Sequence, residues 1–175
     1  MNHRVRVYPH NDLLNLVHHQ REIINNKKSE GIEDGVALDC LGCLISLAFS
    51  VEALVNFIGH KKINNWKERR PYMDKLNQVC IRAGLAFNKS KEPFNTLLQL
   101  KELRDSIAHG KPIEITTSVH SRAELRREME CPWDQNLTSE YVNNAYEIVK
   151  QFERDLFENC QITVGQTLTA VGCGV

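Results

Sequence analysis

The sequence predicts an all-α fold, an antiparallel helical bundle of four to five main helices. Apolar residues recur at the three- and four-residue spacing of a helix along almost the whole chain. The segments with this spacing are long, and short polar connections containing Gly, Pro or Asn separate them. Long helices joined by short connections are typical of antiparallel bundles. We expect one helical domain over residues 1–160 and a C-terminal tail over residues 161–175.

The first two predicted helices flank a polar, glycine-containing connection. Asn11 and Asp12 suit the N-cap of the first helix, which we expect to end near Asn26. The second helix is expected from about Gly35 to His60 and is apolar on nearly all sides, as core helices are. It approaches the length of a membrane span, but it contains ionisable residues that are costly at bilayer depth. We therefore predict a core helix and no membrane span.

Prolines mark the start of the next two helices. Pro71 suits the first turn of the third helix, where its missing N–H costs nothing, and Gly84 ends that helix. Pro93 begins the fourth helix, and Gly110 with Pro112 stops it.

The last third of the chain contains a loop, a short helix and a long helix. Residues 113–119 are predicted as a loop or a short extended piece. Ser121 and Glu124 form a capping-box pattern that opens a short helix to Met129. The last helix is predicted over residues 139–159, and the Gly-, Thr- and Val-rich tail is expected to be extended or mobile.

Composition excludes several classes of protein. The 175 residues are 42% hydrophobic and 25% charged, unlike a disordered chain, a collagen-like fibre or a coiled-coil rod. The 22 Lys and Arg balance the 22 Asp and Glu, which argues against nucleic-acid binding by bulk positive charge. A local basic patch remains compatible with this balance.

Cysteine placement and the first residues indicate a reducing, cytoplasmic setting. Cys40 and Cys43 lie within the apolar run, without a second metal-binding pair at zinc-finger spacing, so we expect core cysteines. Residues 1–12 contain no apolar segment, so we expect no signal peptide. No metal and no cofactor is predicted.

Arg104, Asp105 and His109 concentrate reactive chemistry at the predicted end of the fourth helix. Arg is a permanent, planar cation suited to phosphate, and His exchanges protons near neutral pH. Asp105 precedes His109 by four residues, so it could accept the imidazole N–H. The alternative is purely structural: a helix end stabilised by cations, with Asp105 in an ion pair.

Helical geometry sets a condition on this pair. Arg104 and His109 are five residues apart, which is about 140° around an ideal helix of roughly 100° per residue. They share a face only if the turn before Gly110 unwinds. Otherwise, the Arg of one subunit must meet the His of another at a two-fold axis.

The pattern Arg-polar-x-x-x-His over residues 104–109 resembles the signature of the HEPN superfamily. Residues 48–56 resemble the long second helix of that family, and residues 71–76 resemble its third. The resemblance covers about residues 10–160. It implies a compact all-α domain that dimerises through the motif helices, and in many members a metal-independent endoribonuclease of toxin–antitoxin or defence systems.

By this resemblance, His109 is a general acid and base, Arg104 stabilises the phosphate, and Asp105 takes the orienting position. The RNA 2′-OH is then the nucleophile, and a 2′,3′-cyclic phosphate is the product. The implied partners are a second copy of the chain, single-stranded or structured RNA, and an antitoxin protein. Lys111 stands where antitoxin-modified members often carry Tyr, so that form of regulation is not implied. Other members are non-catalytic interaction or nucleotide-binding modules, which is the alternative function here.

Further residues are candidates for supporting roles. Glu52 could pair with Arg104 across the bundle, or it could belong to an internal capping or packing network. Ser106 lies within the motif itself. Lys111, Arg122 and Arg126 could contact an RNA backbone. Glu124 and Glu128 interleave with Arg122 and Arg126 on the predicted short helix. The alternative for this helix is a solvent-exposed face of i,i+4 ion pairs.

Overall fold

Six α-helices carry most of the chain in the computed structural model, which describes residues 3–112, 114–168 and 170–173. They are α1 (Pro9–Ser29), α2 (Val36–Lys62), α3 (Tyr72–Ala83), α4 (Phe94–His109), α5 (Arg122–Glu128) and α6 (Ser139–Asn159). The strands of the described residues are two short pieces, β1 (His3–Arg6) and β2 (Ala170–Cys173), which pair antiparallel. The all-α class predicted from the apolar spacing is confirmed.

Helix α2 is the centre of the fold. It packs against α1, α3, α4 and α6, so apolar side chains are needed on most of its circumference. Leu44, Leu47, Leu54 and Ile58 are fully buried along it. Within the described ranges it is the one helix long and apolar enough to cross a membrane, and 61% of its apolar stretch is buried inside the protein.

The first helix differs from its prediction at both ends. α1 begins at Pro9, ahead of Asn11 and Asp12, because proline is well suited to the first turn of a helix. The Asn11 side chain donates a hydrogen bond to the backbone carbonyl of Thr167 and caps nothing. α1 also continues past Asn26 to Ser29.

Most other helix boundaries lie close to their predicted places. α3 begins at Tyr72, with Pro71 at the N-cap position and Gly84 in a left-handed conformation at the C-cap. α6 spans the predicted residues 139–159. Residues 114–119 form no helix or strand, and residue 113 lies outside the described residues.

The segment after α6 is attached to the body of the protein. Ile162 and Thr167 are buried, and β2 pairs with β1 near the start of the chain. The extended structure expected for the tail is therefore present at residues 170–173, while residues 169, 174 and 175 lie outside the described part.

Candidate functional site

Two carboxylates hold Arg104, one from α2 and one from its own helix. Arg104 Nη1 donates to Glu52 Oε2 at 2.5 Å, while Nε and Nη2 donate to Asp105 Oδ1 at 3.0 Å and 2.9 Å. The guanidinium also lies over the Phe49 ring, 5.4 Å from its centroid. Because a guanidinium carries more donors than these contacts use, Nη1 and Nη2 each retain an N–H without an acceptor among the described residues.

Glu52 connects Arg104 to a buried lysine. The predicted contact between Glu52 and Arg104 is present, and Glu52 Oε1 also accepts from Lys75 Nζ at 2.6 Å. Lys75 is only 1% exposed, and its ammonium also donates to the Glu68 carbonyl at 3.0 Å. Burial alone would raise the pKa of Glu52, but hydrogen bonds from Lys75 and Arg104 lower that pKa below its usual value. Glu52 is therefore a carboxylate at neutral pH.

Asp105 binds two cations and does not orient His109. Its Oδ2 accepts from Lys101 Nζ at 2.6 Å, and its Oδ1 accepts from Arg104. No hydrogen bond joins His109 to Asp105 among the described side chains, and the Asp105 oxygens accept from Lys101 and Arg104 instead. Burial would raise the pKa of Asp105, but these hydrogen bonds lower it.

The network is charged as a whole. Lys75, Arg104 and Lys101 are cations, and Glu52 and Asp105 are carboxylates, so the cluster has an excess of one positive charge. A local positive excess is compatible with an anionic ligand in a protein whose net charge is zero.

His109 is exposed at the last position of α4 and has no side-chain hydrogen bond within the described part of the chain. α4 stays helical through His109, so the last turn does not unwind and the first of the two conditions for a shared face is not met. Arg104 and His109 consequently remain about 140° apart around the helix axis, and one protomer does not bring them together.

Ser106, a candidate for a supporting role, lines a groove beside the motif. The groove has a volume of about 260 Å³ and lies between α4 and the segment 132–136. Glu102 and Ser106 line it on the helix side, and Trp133 lines it opposite. Ideal helical geometry places His109 within about 60° of Ser106, on the groove side of α4. Sequence reasoning missed this groove, although the spacing of Gln99, Glu102 and Ser106 was a signal for it.

The predicted RNA-backbone residues Lys111, Arg122 and Arg126 are all exposed. The Ser121 side chain caps α5 by accepting from the Glu124 N–H at 3.2 Å. Glu124 accepts from the backbone N–H of His120 at 2.8 Å, so the reciprocal half of the capping box is shifted by one residue. The i,i+4 ion pairs that were the alternative for α5 are not formed among its described side chains, and its arginines are free for other partners.

The cysteines of α2 are core residues. Cys40 and Cys43 are fully buried, and burial raises the pKa of their thiols to about 11 and about 12. Thiols with such pKa values are weak nucleophiles near neutral pH. Within the described ranges, no cluster of three or more His, Cys, Asp or Glu side chains is arranged to hold a metal ion.

Comparison with known proteins gives no match to a protein-family model, a curated protein or a solved structure. The resemblance to the HEPN superfamily therefore depends on the sequence alone: on the motif over residues 104–109 near the end of α4, and on residues 48–56 and 71–76.

Proposed function

We propose that this protein is a HEPN-like helical bundle that acts as a cytoplasmic, metal-independent endoribonuclease of a toxin–antitoxin or defence system. The observation that carries the proposal is the state of the two motif residues. Arg104 is positioned by Glu52 and Asp105 but retains free N–H donors, and His109 is exposed and unpartnered among the described residues. One residue is thus prepared to bind a phosphate, and the other to exchange a proton.

The proposed chemistry needs only these groups and the RNA. Arg104 donates to a non-bridging phosphate oxygen and offsets the charge that develops there. His109 takes the proton of the 2′-OH as the 2′ oxygen attacks phosphorus. The bond from phosphorus to the 5′ oxygen breaks, and the same His109, now protonated, returns the proton to that oxygen. The products are a 2′,3′-cyclic phosphate and a 5′-hydroxyl end.

The proposal requires a homodimer, because Arg104 and His109 diverge on one helix. A two-fold axis near the end of α4 would bring Arg104 of one subunit to His109 of the other. Two exposed apolar side chains of α2, Phe49 at 45% and Leu38 at 73% exposure, offer surface for such a contact.

Cleavage of RNA in the presence of EDTA tests the activity. The wild-type protein should produce 2′,3′-cyclic phosphate ends, and His109→Ala should lower the rate by roughly 100-fold or more, as loss of a general acid and base does. His19→Ala is the matched control, since His19 is an exposed helical histidine outside the motif. Full activity of His109→Ala, or no cleavage of varied RNAs by the wild type, would contradict the proposal.

Mixing two inactive variants tests the shared site. Arg104→Ala and His109→Ala should each be inactive alone. After subunit exchange, activity should return to roughly a quarter of the wild-type level, because about half the dimers are mixed and each has one complete site. Activity that stays at zero in confirmed mixed dimers would show that the two residues do not act across subunits.

The second candidate function is a non-catalytic interaction module. The observation that favours it is the pairing of Arg104 with two carboxylates, because a phosphate must compete with both for the guanidinium. This candidate predicts no cleavage of any RNA, together with binding of a protein partner that His109→Ala does not change.

A further inference from the structure

A second cavity lies away from the Arg104 network, where the chain that enters α1 crosses the second half of α2. Its volume is about 440 Å³, within the range of roughly 300–1,000 Å³ that is typical of small-molecule sites. Val7 and Tyr8 line it on the side of α1, and Ala53 and Phe57 line it on the side of α2. These four side chains form an apolar part of its wall, and two of them are aromatic.

The aromatic rings around this cavity already form an ordered cluster. Tyr8 and Phe57 pack edge to face with their centroids 5.1 Å apart, and His10 stacks on Phe57 at 4.3 Å. A further ring placed against them would add the same kinds of contact, which contribute beyond simple burial of area. The cavity consequently favours a ligand with an aromatic ring.

Polar atoms without partners surround the same space. His10 is fully buried, and neither of its ring nitrogens has a hydrogen-bond partner among the described residues. The Asn56 side chain lines the cavity, and its buried Oδ1 is also unpartnered there. Buried polar groups are nearly always hydrogen-bonded, so the wall at His10 and Asn56 is polar and incompletely satisfied. Oδ1 is an acceptor, so the group that Asn56 can offer an anionic ligand is its Nδ2–H.

The charge at the cavity is positive. Lys61 Nζ lies 5.4 Å from the Tyr8 ring centroid and 5.9 Å from that of Phe57, with no acidic partner in the described part of the chain. His60 also lines the cavity, but Glu68 lies 3.8 Å from its Nε2. A single free ammonium beside one side-chain amide matches a carboxylate, whereas a phosphate dianion is usually held by more donors.

We propose that this cavity binds a small aromatic carboxylate. The ring of the ligand lies against Tyr8 and Phe57, and its carboxylate accepts hydrogen bonds from Lys61 Nζ and the Asn56 amide. This site and its ligand are independent of RNA cleavage, since none of the described lining residues belongs to the Arg104 network.

Calorimetric titration and ligand-observed NMR with 3-phenylpropionate test the proposal. We expect saturable binding at one site. The neutral amide 3-phenylpropanamide should bind at least about tenfold more weakly, because it loses the charge-assisted hydrogen bond to Lys61. Butyrate, which has the charge but no ring, should also bind at least about tenfold more weakly, because it loses the aromatic contacts.

Variants locate the site. Lys61→Met retains the apolar stem and should weaken binding at least about tenfold, while Lys67→Met, at an exposed position nearby, should leave it unchanged. Ala53→Leu should fill the cavity and abolish binding, with a thermal melt to confirm that the variant is folded. Binding that survives both Lys61→Met and folded Ala53→Leu would overturn the proposal. Absence of binding by any aromatic acid, or tighter binding of AMP than of every aromatic acid tested, would overturn it as well.

Discussion

Buried polar residues in this protein fall into two groups. Lys75 is buried but satisfied, because Glu52 and the Glu68 carbonyl accept from its ammonium. His10 is buried and unsatisfied: its ring packs against Tyr8, Phe57 and Phe157, and neither nitrogen has a hydrogen-bond partner among the described residues. Lys75, in the first group, binds Glu52, and Glu52 in turn holds the candidate functional residue Arg104 in one orientation. The second group lowers stability, because an unpaired buried polar group costs free energy.

The protonation of His10 gives a prediction at this scale. Burial lowers the pKa of His10 from 6.5 to about 4, although Asp12 acts in the opposite direction. The unfolded chain therefore takes up a proton near pH 6.5, while the folded protein resists it, so acidification favours unfolding. The contribution of neutral His10 to the free energy of unfolding is complete above pH 6.5 and is lost as the pH falls toward 4.

Urea unfolding at pH 7 and pH 4.5 measures this loss. Replacing His10 with Phe keeps a stacking ring and removes the titration. The drop in unfolding free energy between the two pH values should be smaller in His10→Phe than in the wild type by about 2–3 kcal/mol. His19→Phe, at an exposed position, is the control and should retain the wild-type drop. An equal drop in the wild type and His10→Phe would show that His10 is not the acid-sensitive group.

At the scale of elements, α2 packs in the core, and near its C-terminal end it also contacts the loop that follows it. The Trp66 ring packs directly on Gly59, where an added Cβ would lie only 2.2 Å from a ring atom. Trp66 is thus half-buried against the end of α2. This contact explains why a glycine is present in the last part of the longest helix.

Gly59→Ala tests that contact against helix propensity. Alanine is favoured over glycine inside a helix by about 1 kcal/mol. The clash with Trp66 should outweigh this gain and destabilise the protein by roughly 1–3 kcal/mol, as overpacking does. Urea unfolding gives the change, and a red shift of tryptophan fluorescence reports displacement of Trp66.

Gly42→Ala is the matched control on the same helix. There an added Cβ would lie 3.3 Å from the flexible end of the Gln20 side chain, which can move aside. This variant should be neutral or more stable than the wild type. Similar destabilisation by both substitutions would mean that α2 tolerates no added methyl group and that Trp66 is not the cause.

At the scale of the whole molecule, the absence of net charge limits how RNA can bind. The positive charge available to RNA is local, at the Arg104 network and at the exposed cations Lys111, Arg122 and Arg126. If the proposed function holds, only a few phosphates are neutralised. The dissociation constant for single-stranded RNA should then rise with salt with a logarithmic slope of about 1–3, since each phosphate contact contributes about 0.7.

Binding of a labelled RNA to the His109→Ala variant at several salt concentrations measures this slope without cleavage. Lys111→Ala should lower it by roughly 0.7 if that residue contacts a phosphate. A slope above about 5 would indicate a much larger basic interface than the described surface offers.

The sequence alone determined the all-α class, the core position of α2 and most helix boundaries, because these depend on local apolar spacing and on Pro and Gly. It also raised Glu52 as one candidate partner for Arg104, since a buried carboxylate requires a partner, and the structure contains that contact. Only the tertiary structure decided what depends on packing between distant segments. Asp105 binds Lys101 and Arg104 instead of His109, and the end of α4 stays helical, so Arg104 and His109 remain on different sides of it. The cavity beside His10 likewise exists only because the entry to α1 crosses α2, a juxtaposition that no local pattern records.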